Sequence, residues 1–174
     1  WQTIVASTPG PTGSYSWQIP NTPTTQARVR ISDAGDGSPV DSSDNPFTIS
    51  VAAFSAQPSP VNFGNVPVGT RASRTVTISN SGTAALVVTS VLASDPTFGI
   101  SRSSFTVPAG QSDTIQLHFT PTIVGNISGE MQFSCNVPGS PAIIGVSGNG
   151  TTAASISVIA PNGGETWRAG TTEN

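Results

Sequence analysis

Apolar and polar residues alternate with a period of two in several separate stretches of this chain, and that spacing sets what it can become. In SDTIQLHFTP, Ile115, Leu117 and Phe119 fall on one side while Gln116 and His118 fall on the other; in TRASRTVTISNSG, Val76 and Ile78 alternate with Thr75, Thr77 and Ser79. Successive side chains of a strand point to opposite faces, so this pattern predicts half-buried β-strands, with His118 outward and exposed. Disorder is excluded by the same order in the apolar spacing.

Composition agrees with a β fold that has many turns. Among 174 residues there are 18 Gly and 15 Pro, apolar residues reach only 35%, and charged residues only 9%. Lysine is absent, and the basic side is carried by six scattered arginines: Arg28, Arg30, Arg71, Arg74, Arg102 and Arg168. A net charge of −3 without a basic stripe argues against nucleic acid and against an anionic membrane surface as partners. No apolar run approaches the ~20 residues that span a bilayer, so no membrane insertion is expected in this segment. The single cysteine, Cys135, cannot form an internal disulfide; in MQFSCNV it shares a face with Met131, Phe133 and Val137 and reads as a small core hydrophobe.

Turn-rich linkers divide the chain into three zones: 1–53, 54–152 and 153–174. The first holds four short β segments, WQTIVA, GSYSWQIP, ARVRIS and PFTISVA, between stretches rich in Gly, Pro, Asn and Asp. Its opening residues read as a strand already under way, which places any export signal upstream. In the second zone strand signals recur about every ten residues, as in a β-sandwich. The alternation in TRASRTVTISNSG, followed across NSGT by AALVVTSVLA, predicts a hairpin, and NISGEMQFSCNV with PAIIGVSGNG predicts another around Pro138 to Ser140. The predicted core is Phe63, Val76, Ile78, Leu86, Val88, Ile115, Leu117, Phe119, Met131 and Phe133. The third zone offers one strand, a Pro-Asn-Gly-Gly turn and a segment carrying Trp167.

Candidate chemistry is sparse. His118 is the lone histidine, and no GxSxG elbow, HExxH helix or phosphate loop accompanies it, so no residue is assigned as catalytic. The acidic loop DAGDGSPVDSSDN supplies Asp33, Asp36, Asp41, Asp44 and Asn45 as hard oxygens for calcium, though not at EF-hand spacing. The competing account places Asp33 and Asp36 in a hairpin turn, with Asp44 capping the bend before Phe47; no cofactor is then needed, and calcium is not required for folding. Trp1, Tyr15, Trp17 and Trp167 could stack on a sugar, but Tyr15 and Trp17 share a parity with Ile19 that predicts core packing. Asn126-Ile-Ser and Asn149-Gly-Thr match the N-glycosylation pattern.

The middle zone resembles the abnormal-spindle and hydin type of immunoglobulin-like domain, also common in choice-of-anchor surface proteins. The resemblance is carried by VNFGNVPVGT, VTISNSGTAALVV, FTVPAGQSDTIQLHFTPTIVGNISGEMQF and IIGVSGNG, in that order. The flanks resemble the immunoglobulin-like repeat of yeast KNH-like, Ser-Thr-rich cell-wall proteins. APNGGETWRAGTTEN is similar to its opening and residues 1–49 to its second half, with about two strands of the pattern lacking at each end. The resemblances imply an all-β chain of tandem immunoglobulin-like sandwiches, one complete and two partial, that begins and ends inside domains of a repeating array. They imply an extracellular or cell-surface structural repeat whose partners are copies of itself or adjacent repeats, head to tail. The alternatives are an adhesive module for a glycan or cell-surface ligand, and an accessory segment of a secreted multidomain enzyme.

Overall fold

The computed structural model describes residues 1–7 and 14–153, and thirteen strands form within them. Nine belong to one β-sandwich. Its five-stranded sheet has the order β10-β8-β12-β13-β6, made of Phe105–Val107, Leu86–Ala93, Gly125–Cys135, Ala142–Thr151 and Val61–Pro67. The facing four-stranded sheet has the order β5-β7-β11-β9, made of Ser55–Gln57, Ala72–Ser79, Ser112–Phe119 and Phe98–Ile100. The chain is all-β with an immunoglobulin-like sandwich.

The alternating residues meet between these sheets. All ten predicted core residues are buried, none above 3% exposure, so the register read from the periodicity is the register observed. Val61, Val66, Val91, Phe98, Phe105, Val107, Ile144 and Val146, with Ala52 and Ala56, complete the core, while Cys135 and Val137 pack partly buried against it. Phe119 from one sheet lies 5.5 Å from Phe63 of the other and stacks on Phe98 at 4.9 Å between centroids. This cluster needs a gap in the opposite sheet, and Gly148 supplies it: a Cβ there would sit 2.4 Å from the Phe119 ring.

The first strand changes sheets. β5 pairs antiparallel with β7, then Pro58 and Pro60, which have no N–H to give a ladder, carry the chain across, and β6 pairs parallel with β13. The β12–β13 pairing is the hairpin expected around Pro138 to Ser140. The other expected hairpin does not form: β7 and β8 lie in different sheets, and residues 80–85 arch between them. Both strands are amphipathic toward the same core, which facing sheets satisfy as well as adjacent strands do.

Residues 1–53 form a thinner structure. β1 (Thr24–Ala27) pairs with β4 (Phe47–Ile49), and β2 (Arg30–Ser32) pairs with β3 (Val40–Ser42), each as a two-stranded ribbon. ARVRIS is thus split by Arg28 and Val29, and the described residues of WQTIVA and GSYSWQIP are not strands. Tyr15 and Ile19, expected in a core, are 53% and 63% exposed, and Trp17 is half-buried. The reason is that neither ribbon has a second layer over it among the described residues, and a two-stranded ribbon creates no interior. The expected strand after residue 153 and Trp167 lie outside the described residues.

His118 also departs from expectation: it is only 9% exposed although it points away from the core. Its cross-strand neighbours are the small Ser73 and Gly99, and its Nδ1 lies 3.0 Å from Ser73 Oγ, so the ring is held down against the sheet.

Gly148→Ala is expected to destabilise the sandwich by about 1–3 kcal/mol, the usual cost of overpacking. A double-mutant cycle with Phe119→Leu, followed by urea melts, should return part of that loss; strict additivity would show that the two positions do not share the space.

Candidate functional site

The features with functional content are the two ends of the sandwich. Residues 50–53 enter beside the arch 80–85, and the chain leaves along β13 at Thr151, beyond the opposite end. β13 is 10 residues long, so at strand rise the two ends stand roughly 30 Å apart.

At the entry end the organising residue is Asn80, buried to 1% exposure. Its Oδ1 accepts the Ala53 N–H at 3.0 Å and the Gly82 N–H at 3.0 Å. Its Nδ2 donates to the carbonyls of Ala84 at 2.8 Å, Val107 at 3.0 Å and Pro108 at 3.2 Å. The entering chain is fastened further: Val51 C=O accepts the N–H groups of Thr83 and Ala84, and Val51 N–H donates to Thr83 Oγ1 at 3.1 Å. Gly82 is required by this closeness, since a Cβ would lie 2.3 Å from the Val51 oxygen. Asn136, on the neighbouring turn, accepts from Val87 N–H and donates to Ala85 C=O. Between this end and the N-terminal part lies a groove of about 430 Å³, lined by Ile19, Pro20 and Asn21, by the entering residues 50–52, and by Ala84 and Val137.

The exit end has a matching fastening. Val68 N–H donates to Thr151 C=O at 2.9 Å and Gly69 N–H to Pro121 C=O at 2.9 Å. The loop 121–124 crosses the exit strand so closely that a Cβ on Gly150 would be 2.0 Å from the Ile123 oxygen. Ile123 and Val124 are left exposed at the tip of that loop. The entering residues 50–53 are therefore built into the sandwich, and the last residues of β13 are tied to the turn after β6 and to the loop 121–124, so the described chain passes from one end of the sandwich to the other.

Of the sequence-predicted site residues, Asp33, Asp36 and Asp44 lie in turns and bends, and Asp41 lies on strand β3 opposite Ile31. Asp33 Oδ1 accepts the Gly35 N–H at 2.7 Å, and Asp36 Oδ1 accepts the Ser38 N–H at 2.9 Å, between β2 and β3. Asp41 Oδ1 accepts the Ser42 N–H, and the Asp44 and Ser43 carbonyls accept from the Arg28 guanidinium. Among the described residues no three His, Cys, Asp or Glu side chains are grouped to hold a metal ion, so Asp33, Asp36, Asp41 and Asp44 are not brought together as a ligand set. Asn126 and Asn149 are cross-strand partners, and Asn149 donates to Asn65 Oδ1 at 2.9 Å. Trp1 is 78% exposed, with the Arg30 guanidinium 5.0 Å from its ring centroid.

Ser73 and His118 are the one pair with the outline of a nucleophile and its base. Activation would leave an imidazolium, and burial, then the charge of Arg71, both push the His118 pKa below its ordinary value. The surroundings favour the neutral imidazole, and its contact with Ser73 joins β11 to β7 on the outer side of their sheet. The roles of Asn80 and Gly82 in holding the linker were not visible as more than turn chemistry in the sequence; the available signal was that NSGT and its neighbours make a connection longer than a two-residue hairpin loop.

A sandwich of two antiparallel-rich sheets, five strands facing four, defines the class. Within it, residues 47–143 match the family described as ASH: Abnormal spindle-like microcephaly-associated, ASPM-SPD-2-Hydin. The match covers more than half of the chain, and the protein belongs to that family. Similar solved structures include the ASH / PapD-like domain 7 of human CEP192, at 14% identity and TM-score 0.49, over 58% of this chain and 87% of that one. A protein of unknown function from Porphyromonas gingivalis W83 shows 17% identity and TM-score 0.49, over 76% and 70%. WR4, a C. elegans MSP family member, shows 18% identity and TM-score 0.41, over 56% and 97%. No curated protein matches the sequence.

The pH dependence of stability follows from His118. Its folded-state pKa is lowered, so below the ordinary value near 6.5 the unfolded chain binds the proton more readily than the folded one. Stability is expected to be full at pH 8, to fall as pH drops through 6.5, and to level off below the folded pKa. Denaturant midpoints from pH 8 to 5 should show this fall in the parent and lose most of it in His118→Gln; an identical fall in both would assign it to other groups.

Proposed function

We propose that the chain is a non-catalytic structural repeat of a secreted or cell-surface protein, extended head to tail into a stalk or filament. The observation that carries this reading is the passage of the chain from one end of the sandwich to the other, entering through a fastened segment at residues 50–53 and reaching the opposite end along β13. A module of that kind adds its own length to an array and passes orientation to its neighbour.

Two further observations support it. Exposed large apolar side chains concentrate outside the sandwich, at Trp1, Tyr15, Ile19, Ile31, Val40 and others of residues 1–47. Such a surface suits burial against the opening strands of a KNH-like neighbour, from the following repeat or from a separate copy. The sandwich edges are poor at pairing sideways: β5, β9 and β10 have three residues each, and Arg74 donates to the Asn62 and Phe63 carbonyls of β6. End-to-end contact is favoured over lateral contact, and a contact that does not close gives a polar fibre. The exposure of Trp1 and Tyr15 favours a second reading, an adhesive module that stacks these rings on a glycan.

Sedimentation velocity across a concentration series separates them. Head-to-tail assembly predicts elongated species that grow with concentration and vanish in Ile31→Asp, a change on an exposed position away from the sandwich. A monomer at every concentration, with glycan-array binding lost in Trp1→Ala, would replace the filament by the adhesive reading.

A further inference from the structure

The geometry points to a load-bearing module in which the parallel β6–β13 pair is the mechanical clamp. The chain enters ahead of β6 and leaves at the end of β13, and these two strands are neighbours in one sheet. Their partners run in two stretches, Val61↔Val146 and Asn62↔Ser147, then, past a register shift, Asn65↔Asn149, Val66↔Gly150 and Pro67↔Thr151. Tension on the chain therefore draws β6 toward the entry end and β13 toward the exit end, in opposite directions along adjacent strands. Ladder hydrogen bonds lie across the strands, so this pull loads them side by side, and they must yield together. Pulled apart at right angles to the strands, the same bonds break one after another.

Other contacts reinforce that pair. Asn149 Nδ2 donates to Asn65 Oδ1 at 2.9 Å, adding a side-chain bond across it. Arg74 reaches from β7 to the Asn62 and Phe63 carbonyls and ties β6 to the facing sheet. Val61, Phe63 and Val66 bury their side chains in the core, so β6 cannot slide without exposing them. Ahead of the clamp, β5 holds only three partners on β7, Ser79, Ile78 and Thr77, and gives way first. This deepens the array reading, on which its use in a stalk rests. The resistance itself belongs to a single sandwich, so it fails or stands independently of assembly.

Single-molecule force spectroscopy tests it in two directions. In a Cys135→Ser background, the full chain is held either by handles at its two ends or by cysteines placed as Ser59→Cys and Ile143→Cys. Both positions are exposed, and they lie where β6 and β13 begin at the entry end. Unravelling Ser55–Thr151 between the end handles should release roughly 30 nm of contour. The rupture force for that step should be several-fold higher than the force that peels the 59–143 pair. Chemical denaturation of the second variant should give the parent's midpoint, which shows that a lower force reflects direction and not lost stability. Equal forces in the two directions, or a higher force for peeling, would overturn the assignment of the clamp.

Discussion

One buried amide holds the entry end of this molecule in place. Asn80 satisfies the N–H groups of Ala53 and Gly82 and the carbonyls of Ala84, Val107 and Pro108, which come from the linker, the arch and the strand β10 with its following turn. Three separate segments are thereby fixed to one side chain that water hardly reaches. A buried amide carries little net energy when all its bonds are made, but truncation would orphan the backbone groups it serves, at a cost of roughly 2–4 kcal/mol. The arch joining the two sheets and the direction in which the chain enters both depend on it.

The aromatic cluster plays the corresponding part near the exit end. Phe119 sits in the space left by Gly148 on β13, and Phe63 on β6 meets it from the same sheet. The two strands that carry tension are thus the two that contribute the glycine and the ring on which Phe119 rests. Core packing and the proposed clamp therefore fall on the same two strands, while the edge strands β5, β9 and β10 have three residues each. The low charge of the chain fits this economy: Arg102–Asp113 is the one ion pair among the described residues, and it lies at the surface.

The core was legible because period-two spacing fixes which face of each strand is inward, whatever the pairing; Ile115, Leu117 and Phe119 are buried as that spacing requires. Pairing itself was less legible. Val76–Ile78 and Leu86–Val88 present the same pattern whether they sit side by side or face to face, and the length of their connection, with the buried Asn80 inside it, marks an arch rather than a hairpin. His118 escaped because alternation says which way a side chain points but not what lies next to it; Ser73 and Gly99 come from strands 45 and 19 positions away in sequence. The ribbons of residues 1–53 show the converse limit, since alternating segments such as GSYSWQIP signal strands only when a partner is there to pair with them.

The entering residues 50–53 and the far end of β13 are both tied into the folded module, and amide hydrogen exchange reads that residue by residue. The N–H groups of Ala53, Gly82, Thr83 and Ala84 at the entry end, and of Val68 at the exit end, are expected to exchange with the slow core amides of β11 and β13, because all are held by Asn80, Val51 or Thr151. If those five exchange at the rates of a free peptide while β11 and β13 remain protected, the entering segment is a loose tether and the β6 end of the sandwich is frayed, and an end-to-end module does not exist.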